Sequence, residues 1–276
     1  MTRDHTDPRT WFITGASRGL GRAFTEAALA AGDRVVGVAR DVTPLADLVS
    51  ASGGRLVAFP LDVADRQAVV AGVRRAFAEF GRLDVVVNNA GGVVLGMVEE
   101  VTEEQARAHL DTNFFGALWV DQAVVPLLRE QGSGHIVQVS SMGSAGGFAA
   151  TGLYSAGKAA LDAVSEALAM EVERFGIKVT ILQPGGYRTD LFTRGLTMTD
   201  ENPAYAPLRT WLHGLWAESE DCDPRLAAAV LMRVVDLPEP PKRLVLGGTA
   251  YDMVGQLAQS RADELAKWEH LSREAG

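Results

Sequence analysis

The stretch Trp11-Phe12-Ile13-Thr14-Gly15-Ala16-Ser17-Arg18-Gly19-Leu20-Gly21 decides the fold of this chain. An apolar, strand-like run leads straight into a glycine-rich turn, and beyond it Arg22 to Ala31 carries apolar residues at helical spacing. A strand that feeds a helix through glycines makes an anion site, because the first amides of a helix are unpaired and its dipole favours negative charge there. Gly15, Gly19 and Gly21 follow the spacing G-x-x-x-G-x-G, not the G-x-G-x-x-G of the longer dinucleotide fingerprint, so a slightly roomier loop is expected. Glycine-rich turns also serve packing alone, so the rest of the chain has to supply the context.

Outward from this stretch, short β-rich runs alternate with longer amphipathic ones. The runs are Trp11 to Thr14, Arg34 to Val38, Arg55 to Phe59, Asp84 to Val87, His135 to Ser140, Lys178 to Leu182 and Arg243 to Leu246, and they read as seven strands. Between them, Arg66 to Phe80, Glu103 to Leu128 and Gly152 to Phe175 read as helices, the last with Leu161, Val164, Leu168 and Val172 on one stripe. The alternation predicts a single α/β domain over residues 1–276, a Rossmann-like doubly wound parallel sheet with helices on both faces. One stretch breaks the rhythm. Residues 190–223 hold Phe192, Met198, Tyr205, Leu208, Trp211, Leu212 and Trp216 where a short connection would suffice, and such insertions serve as substrate lids or as helices packed on the surface.

Composition narrows the function classes. The chain has 276 residues, 47% of them hydrophobic, enough for a sizeable core. A formal charge of −9 argues against a nucleic-acid partner. The single cysteine, Cys222, closes no intramolecular disulfide. No apolar run approaches the ~20 residues that span a bilayer, and the polar start lacks a signal-peptide core, so a cytoplasmic protein without a membrane span is expected. His5, His109, His135, His213 and His270 are scattered, which predicts no metal site, and His135 at the head of a buried strand reads as structural.

The second strand ends at Arg40, where an acidic residue would bind a ribose 2′-hydroxyl and a cation accommodates a 2′-phosphate. With Arg18 from the glycine loop it predicts a preference for NADP(H) over NAD(H), although Asp41 is a competing partner for Arg40. In Leu61-Asp62-Val63, after the third strand, Asp62 is placed to hydrogen-bond adenine and also fits a helix N-terminal residue. Tyr154 and Lys158, four apart on a predicted helix, share a face. A free tyrosine has a pKa of ~10, and a lysine cation and an oxidised nicotinamide beside it would favour the phenolate.

The ordered set of motifs resembles the short-chain dehydrogenase/reductase family from about Trp11 through Asp190: the glycine loop, Asn88-Asn89-Ala90-Gly91, Asn113, Ser141, Tyr154-x-x-x-Lys158, and Pro184-Gly185 with Thr189. The resemblance implies a nicotinamide cofactor and reversible alcohol and carbonyl chemistry. It makes Tyr154 the acid/base, Ser141 (rather than its neighbour Ser140) the partner of the substrate oxygen, Lys158 the holder of the nicotinamide ribose, and Asn113 the positioner of a water in a proton relay. The cofactor is expected on Gly15, Ser17, Arg18, Gly19, Leu20, Gly21, Arg40, Asp62, Val63, Asn89, Ala90, Gly91, Tyr154, Lys158, Pro184, Gly185 and Thr189. Asn89 is expected to brace the fourth strand. Apolar Val93, Val94, Leu95, Met142 and Phe148, with Phe192 and Trp211 from the insertion, suggest a pocket for a bulky apolar ketone, aldehyde or secondary alcohol. Two rivals share parts of this pattern. A ketoacyl-type reductase acting on a carrier-bound thioester would need a basic patch such as Arg188, Arg194 and Arg209, and a non-catalytic NADP(H)-sensing protein would have no need of Ser141, Tyr154 and Lys158 together. The family also implies a homodimer or homotetramer, built on the helices flanking the serine strand.

Overall fold

The computed structural model describes residues 7–217 and 221–276. His5, the side chain of Trp216 and residues 218–220 of the insertion lie outside the described residues. Nine strands form: β1 (Thr10–Thr14), β2 (Arg34–Ala39), β3 (Leu56–Pro60), β4 (Val85–Asn88), β5 (Val93–Leu95), β6 (Gly134–Val139), β7 (Ile177–Pro184), β8 (Leu196–Met198) and β9 (Arg243–Leu246). Seven of them make one parallel sheet in the order β3-β2-β1-β4-β6-β7-β9. The helices are α1 (Gly19–Ala30), α2 (Ala46–Ala51), α3 (Arg66–Phe80), α4 (Glu103–Leu110), α5 (Gly116–Gln131), α6 (Gly152–Val172), α7 (Ala206–Ala217), α8 (Pro224–Asp236), α9 (Gly248–Lys267) and α10 (Glu269–Arg273). Among the described residues, no helix is long and apolar enough to cross a membrane.

Side chains alternate across each strand, so both faces of the sheet build a core. Trp11 and Ile13 of β1 join Phe24, Val35, Val87 and Leu231 under α1 and α8. Phe12, between them in sequence, joins Val36, Val86, Val124 and Ile136 under α3 and α5. After β3 the chain returns to the other side of β1, and the carboxyl ends of β1 and β4 therefore part into a crevice, the place where open parallel sheets bind ligands.

Several helices begin and end where local chemistry dictates. Asp65 caps α3, its carboxylate accepting from the amides of Gln67 (2.8 Å) and Ala68 (3.0 Å), and Gly81 closes it in the left-handed region at φ 73°. The helix expected over Glu103 to Leu128 is not continuous. Asp111–Phe115 winds as a π turn between α4 and α5, a local widening that often marks functional sites. His135 is structural as read: its Nε2 lies 2.9 Å from Thr180 Oγ1, and burial holds its pKa down to about 3.

The insertion is anchored by features too short for periodicity to reveal. β5 and β8 pair in parallel, Val93 with Leu196 through Leu95 with Met198, as a separate small sheet. Arg209 of α7 donates to both oxygens of Glu100, at 2.6 and 2.5 Å, while Glu100 also accepts from the amides of Asn202 and Met97 and from the Thr199 hydroxyl. The two side chains are 13% and 2% exposed, so this pair is a buried latch that ties the insertion to the turn at Glu100 and not a surface decoration. The guanidinium, with the amide bonds behind it, holds the Glu100 carboxyl at a pKa of about 2.

Two outcomes follow from these contacts. Trp11→Ala and Phe12→Ala should each lower unfolding stability by about 3–5 kcal/mol, because both side chains are fully buried, on opposite faces; a sheet covered on one face only would leave one of the pair tolerant in a urea melt. Glu100→Gln should speed amide exchange across β8 and α7 while β1 and β4 stay protected. Because the folded pKa of Glu100 is depressed, the latch should be fully present above the ordinary carboxylate range and be lost as pH falls through about 2.

Candidate active site

The crevice is fixed by a clamp between β1 and β4. Thr14 Oγ1 accepts from the amides of Asn89 and Ala90, each at 3.0 Å, and Asn89 Nδ2 donates back to the carbonyls of Thr14 (3.0 Å) and Gly15 (3.2 Å). Asn89 thus ties the end of β4 to the end of β1 and to the glycine loop. Asn88 turns the other way, into the interior, and donates to Asp121 at 2.8 Å. That fully enclosed carboxylate also accepts from Gln138 at 2.7 Å, and burial raises its pKa to about 7. Thr14 was missed in the sequence reading, where it stood only as the last residue of a strand.

The glycine loop has the form of an anion cradle. Gly15 and Gly19 take φ values of 63° and 54°, which side-chain-bearing residues rarely adopt. α1 starts behind Arg18 with no capping side chain and no acidic residue in its first turn, so its leading amides face the crevice without a protein anion. Thr189 packs over the loop, since a Cβ on Gly19 would lie 3.2 Å from Thr189 Cβ. Arg18 and Arg40 have no ion-pair partner among the described residues, and Asp41, the competing partner, instead accepts from the Thr43 amide at 2.9 Å. Asp62 likewise folds back on its own turn, accepting from the Ala64 amide at 3.0 Å, whereas Asp65 caps the helix. Val63 buries its side chain in the core, leaving only backbone to the crevice, and Gly185 packs against Ala250 of α9. These features fit the phosphates and 2′-substituent of a dinucleotide.

Farther along the crevice, four side chains from three elements converge. Ser141 ends the β6 segment in extended backbone, and its Oγ accepts from the Gly143 amide at 3.0 Å, which leaves its proton free to donate outward. It also hydrogen-bonds the Tyr154 phenol. Ser140, the rejected neighbour, points to the other side and reaches the Lys158 carbonyl at 3.5 Å. The ammonium of Lys158 donates to the carbonyl of Val139 at 2.8 Å and sits in a 5% exposed pocket that lowers its pKa to about 8. Asn113, in the π turn, accepts from the Gly92 amide at 3.2 Å and donates to the His109 carbonyl at 3.0 Å. Gly91 lets these groups meet: a Cβ there would lie 2.7 Å from Asn113 Oδ1 and 3.5 Å from Lys158 Nζ.

The electrostatics differ from the sequence expectation at one point. Lysine was expected to favour the Tyr154 phenolate, but Lys158 is held on Val139, and burial dominates: the phenol is pushed above its ordinary value, with Ser141 only partly offsetting this. The protein by itself therefore keeps Tyr154 protonated.

The expected substrate residues divide. Met142 and Phe148 are half-buried in the segment after Ser141. Val93 and Val94, 2% and 5% exposed, are buried in and around the small sheet, and Phe192 and Trp211, 51% and 59% exposed, stand on the outside of the insertion. Leu212 of α7 is buried and, with Leu95, Ala150, Met198 and His213, lines a small pocket. Of the arginines imagined as a basic patch for a carrier protein, Arg209 is latched to Glu100, and Arg188 lies 4.0 Å from Asp223.

Comparison with known proteins agrees with this geometry. The family model for short chain dehydrogenase matches residues 9–199. The chain is 40% identical over 269 residues to Oxidoreductase BOA17 of Botryotinia fuckeliana, covering 96% of this chain and 98% of that one. It is 36% identical over 245 residues to the 3-ketodihydrosphingosine reductase of Bacteroides thetaiotaomicron, covering 87% and 88%. A crystal structure of a short-chain dehydrogenase from Streptomyces avermitilis superposes with a TM-score of 0.91 at 42% identity, covering 98% of this chain and 100% of that one. With the parallel sheet and the motifs in their family order, this chain belongs to the short-chain dehydrogenase family of oxidoreductases.

Proposed function

We propose that the protein is an NADP(H)-dependent oxidoreductase that interconverts an apolar ketone and its secondary alcohol, with Tyr154 as the acid/base. The observation that carries this reading is the convergence of Ser141, Tyr154, Lys158 and Asn113 at the crevice whose other end is the glycine loop. The loop from Gly15 to Gly21, Arg18, Arg40, Asp62, Asn89 to Gly91, Lys158 and Thr189 would hold the dinucleotide. When bound, the reduced nicotinamide supplies the hydride that the carbonyl carbon receives.

The chain's own residues manage the oxygen. Ser141 donates to it and stabilises the charge that develops there, and Tyr154 transfers its proton as the C–O bond gains electrons. A phenol kept protonated by burial is prepared for that donation. In the oxidative direction the same phenol must first ionise, and Lys158 together with a cationic cofactor would supply the favouring charge. Unpaired guanidiniums at Arg18 and Arg40 support the phosphorylated cofactor. A relative that is a ketone reductase by name supports a keto substrate.

Three measurements test this reading with NADPH, NADH and a panel of apolar ketones. Tyr154→Phe should lower kcat by roughly 10²–10⁴-fold while NADPH still binds. Arg40→Asp should weaken NADPH by roughly tenfold or more relative to NADH; an unchanged ratio would remove the 2′-phosphate role. Carbonyl reduction should fall as pH rises through about 8, where Lys158 loses its proton, and a rate level to pH 10 would show that its charge is dispensable.

A further inference from the structure

His109 belongs to none of the roles assigned so far, yet it is 4% exposed and lies against two of the four converging side chains. It occupies the last turn of α4, four residues before Asn113. Two other bonds identify which end of the Asn113 amide faces the ring, because Oδ1 accepts from the Gly92 amide and Nδ2 donates to the His109 carbonyl. The His109 Nδ1 atom, 3.2 Å from Asn113 Nδ2, therefore meets an N–H and must be the acceptor, which places the ring proton on Nε2. That Nε2 has no hydrogen-bond partner among the described residues. A buried donor left without an acceptor is unfavourable, so the bond to Asn113, and not the environment of Nε2, sets the tautomer.

The other edge of the ring is equally constrained. Its plane meets the Tyr154 ring at 64°, edge to face, with centroids 6.0 Å apart. Across from it on α6 lies Gly157, where a Cβ would stand 3.1 Å from Nε2 and 3.3 Å from Cδ2. Burial, reinforced by the Lys158 cation, lowers the imidazole pKa to about 4 and keeps it neutral, the form in which Nδ1 can accept.

We propose that His109 is a positioning residue: a neutral, Nε2-protonated imidazole, given room by Gly157, whose Nδ1 acceptor holds the amide of Asn113 in place beside Tyr154. The phenol then stays aimed at the substrate oxygen shared with Ser141. This rests on the reading of Tyr154 as the acid/base.

The test crosses two variants that a hydrogen-bonding role and a space-filling role rank oppositely. His109→Asn keeps an acceptor near the place of Nδ1 and loses ring volume, whereas His109→Leu keeps volume and loses the acceptor. The proposal expects Leu to lower kcat by roughly tenfold, with KM and NADPH affinity little changed, and Asn to recover most of that loss. Leu active and Asn impaired would overturn it. Tyr154→Phe, measured alongside, separates the two claims: full activity there defeats the acid/base reading whatever the order at His109. A readout that needs no turnover is long-range ¹H–¹⁵N NMR of the imidazoles in the wild-type protein. The expected spectrum shows one neutral His109 ring with bare Nδ1 and protonated Nε2, perturbed by Gly157→Ala, and an Nδ1–H tautomer would overturn the proposal.

Discussion

The four hydrogen bonds between Thr14-Gly15 and the Asn89 turn hold the rest of the site in place. They tie the carboxyl end of β1 to that of β4 at the point where the chain reverses its direction of travel across the sheet. One hydroxyl oxygen receives two amides, and one side-chain amide answers two carbonyls, so polar groups exposed by the parting strands are satisfied across the crevice. With that seam fixed, the glycine loop stands open on one side. On the other, Gly91 and Gly92 come within reach of Asn113 and Lys158.

Burial governs the charges beyond the seam. Four ionisable groups near or beneath the crevice are shifted toward their neutral forms: Tyr154 upward, Asp121 up to about 7, Lys158 down to about 8 and His109 down to about 4. In each, desolvation is the largest cause, ahead of the hydrogen bonds or charges that modify it. A dry site of this kind strengthens each remaining interaction and keeps Tyr154 protonated. Glu100 shows the opposite regime, where a guanidinium and backbone amides overcome desolvation and stabilise the charged form.

Much of this was legible in the sequence because it rests on period and order. β-rich runs alternating with helical stripes gave the parallel sheet, and Arg66 to Phe80, read from its apolar spacing, matches α3, which Asp65 and Gly81 bound. Ser141 was chosen over Ser140 on its family spacing to Tyr154, and the two hydroxyls take different partners, the Gly143 amide and the Lys158 carbonyl. What escaped was local or tertiary. The π turn leaves no periodic trace beyond a slight slip of phase, and three-residue strands such as β5 and β8 are too short to show alternation. Arg209 looked like a free surface cation because Glu100 lies 109 residues away in sequence. His109 was set aside as a scattered histidine, although its position four residues before Asn113 put both on one helical face.

The central claim is that a hydride acceptor and the Tyr154 proton meet in this crevice. The most direct measurement is a single turnover with NADPH deuterated at the transferring carbon, an apolar ketone and mass analysis of the alcohol, run with wild type and Tyr154→Phe. The account predicts one deuterium on the carbinol carbon with the wild type and a greatly slowed transfer in the variant. Transfer at the same rate in both proteins would contradict it.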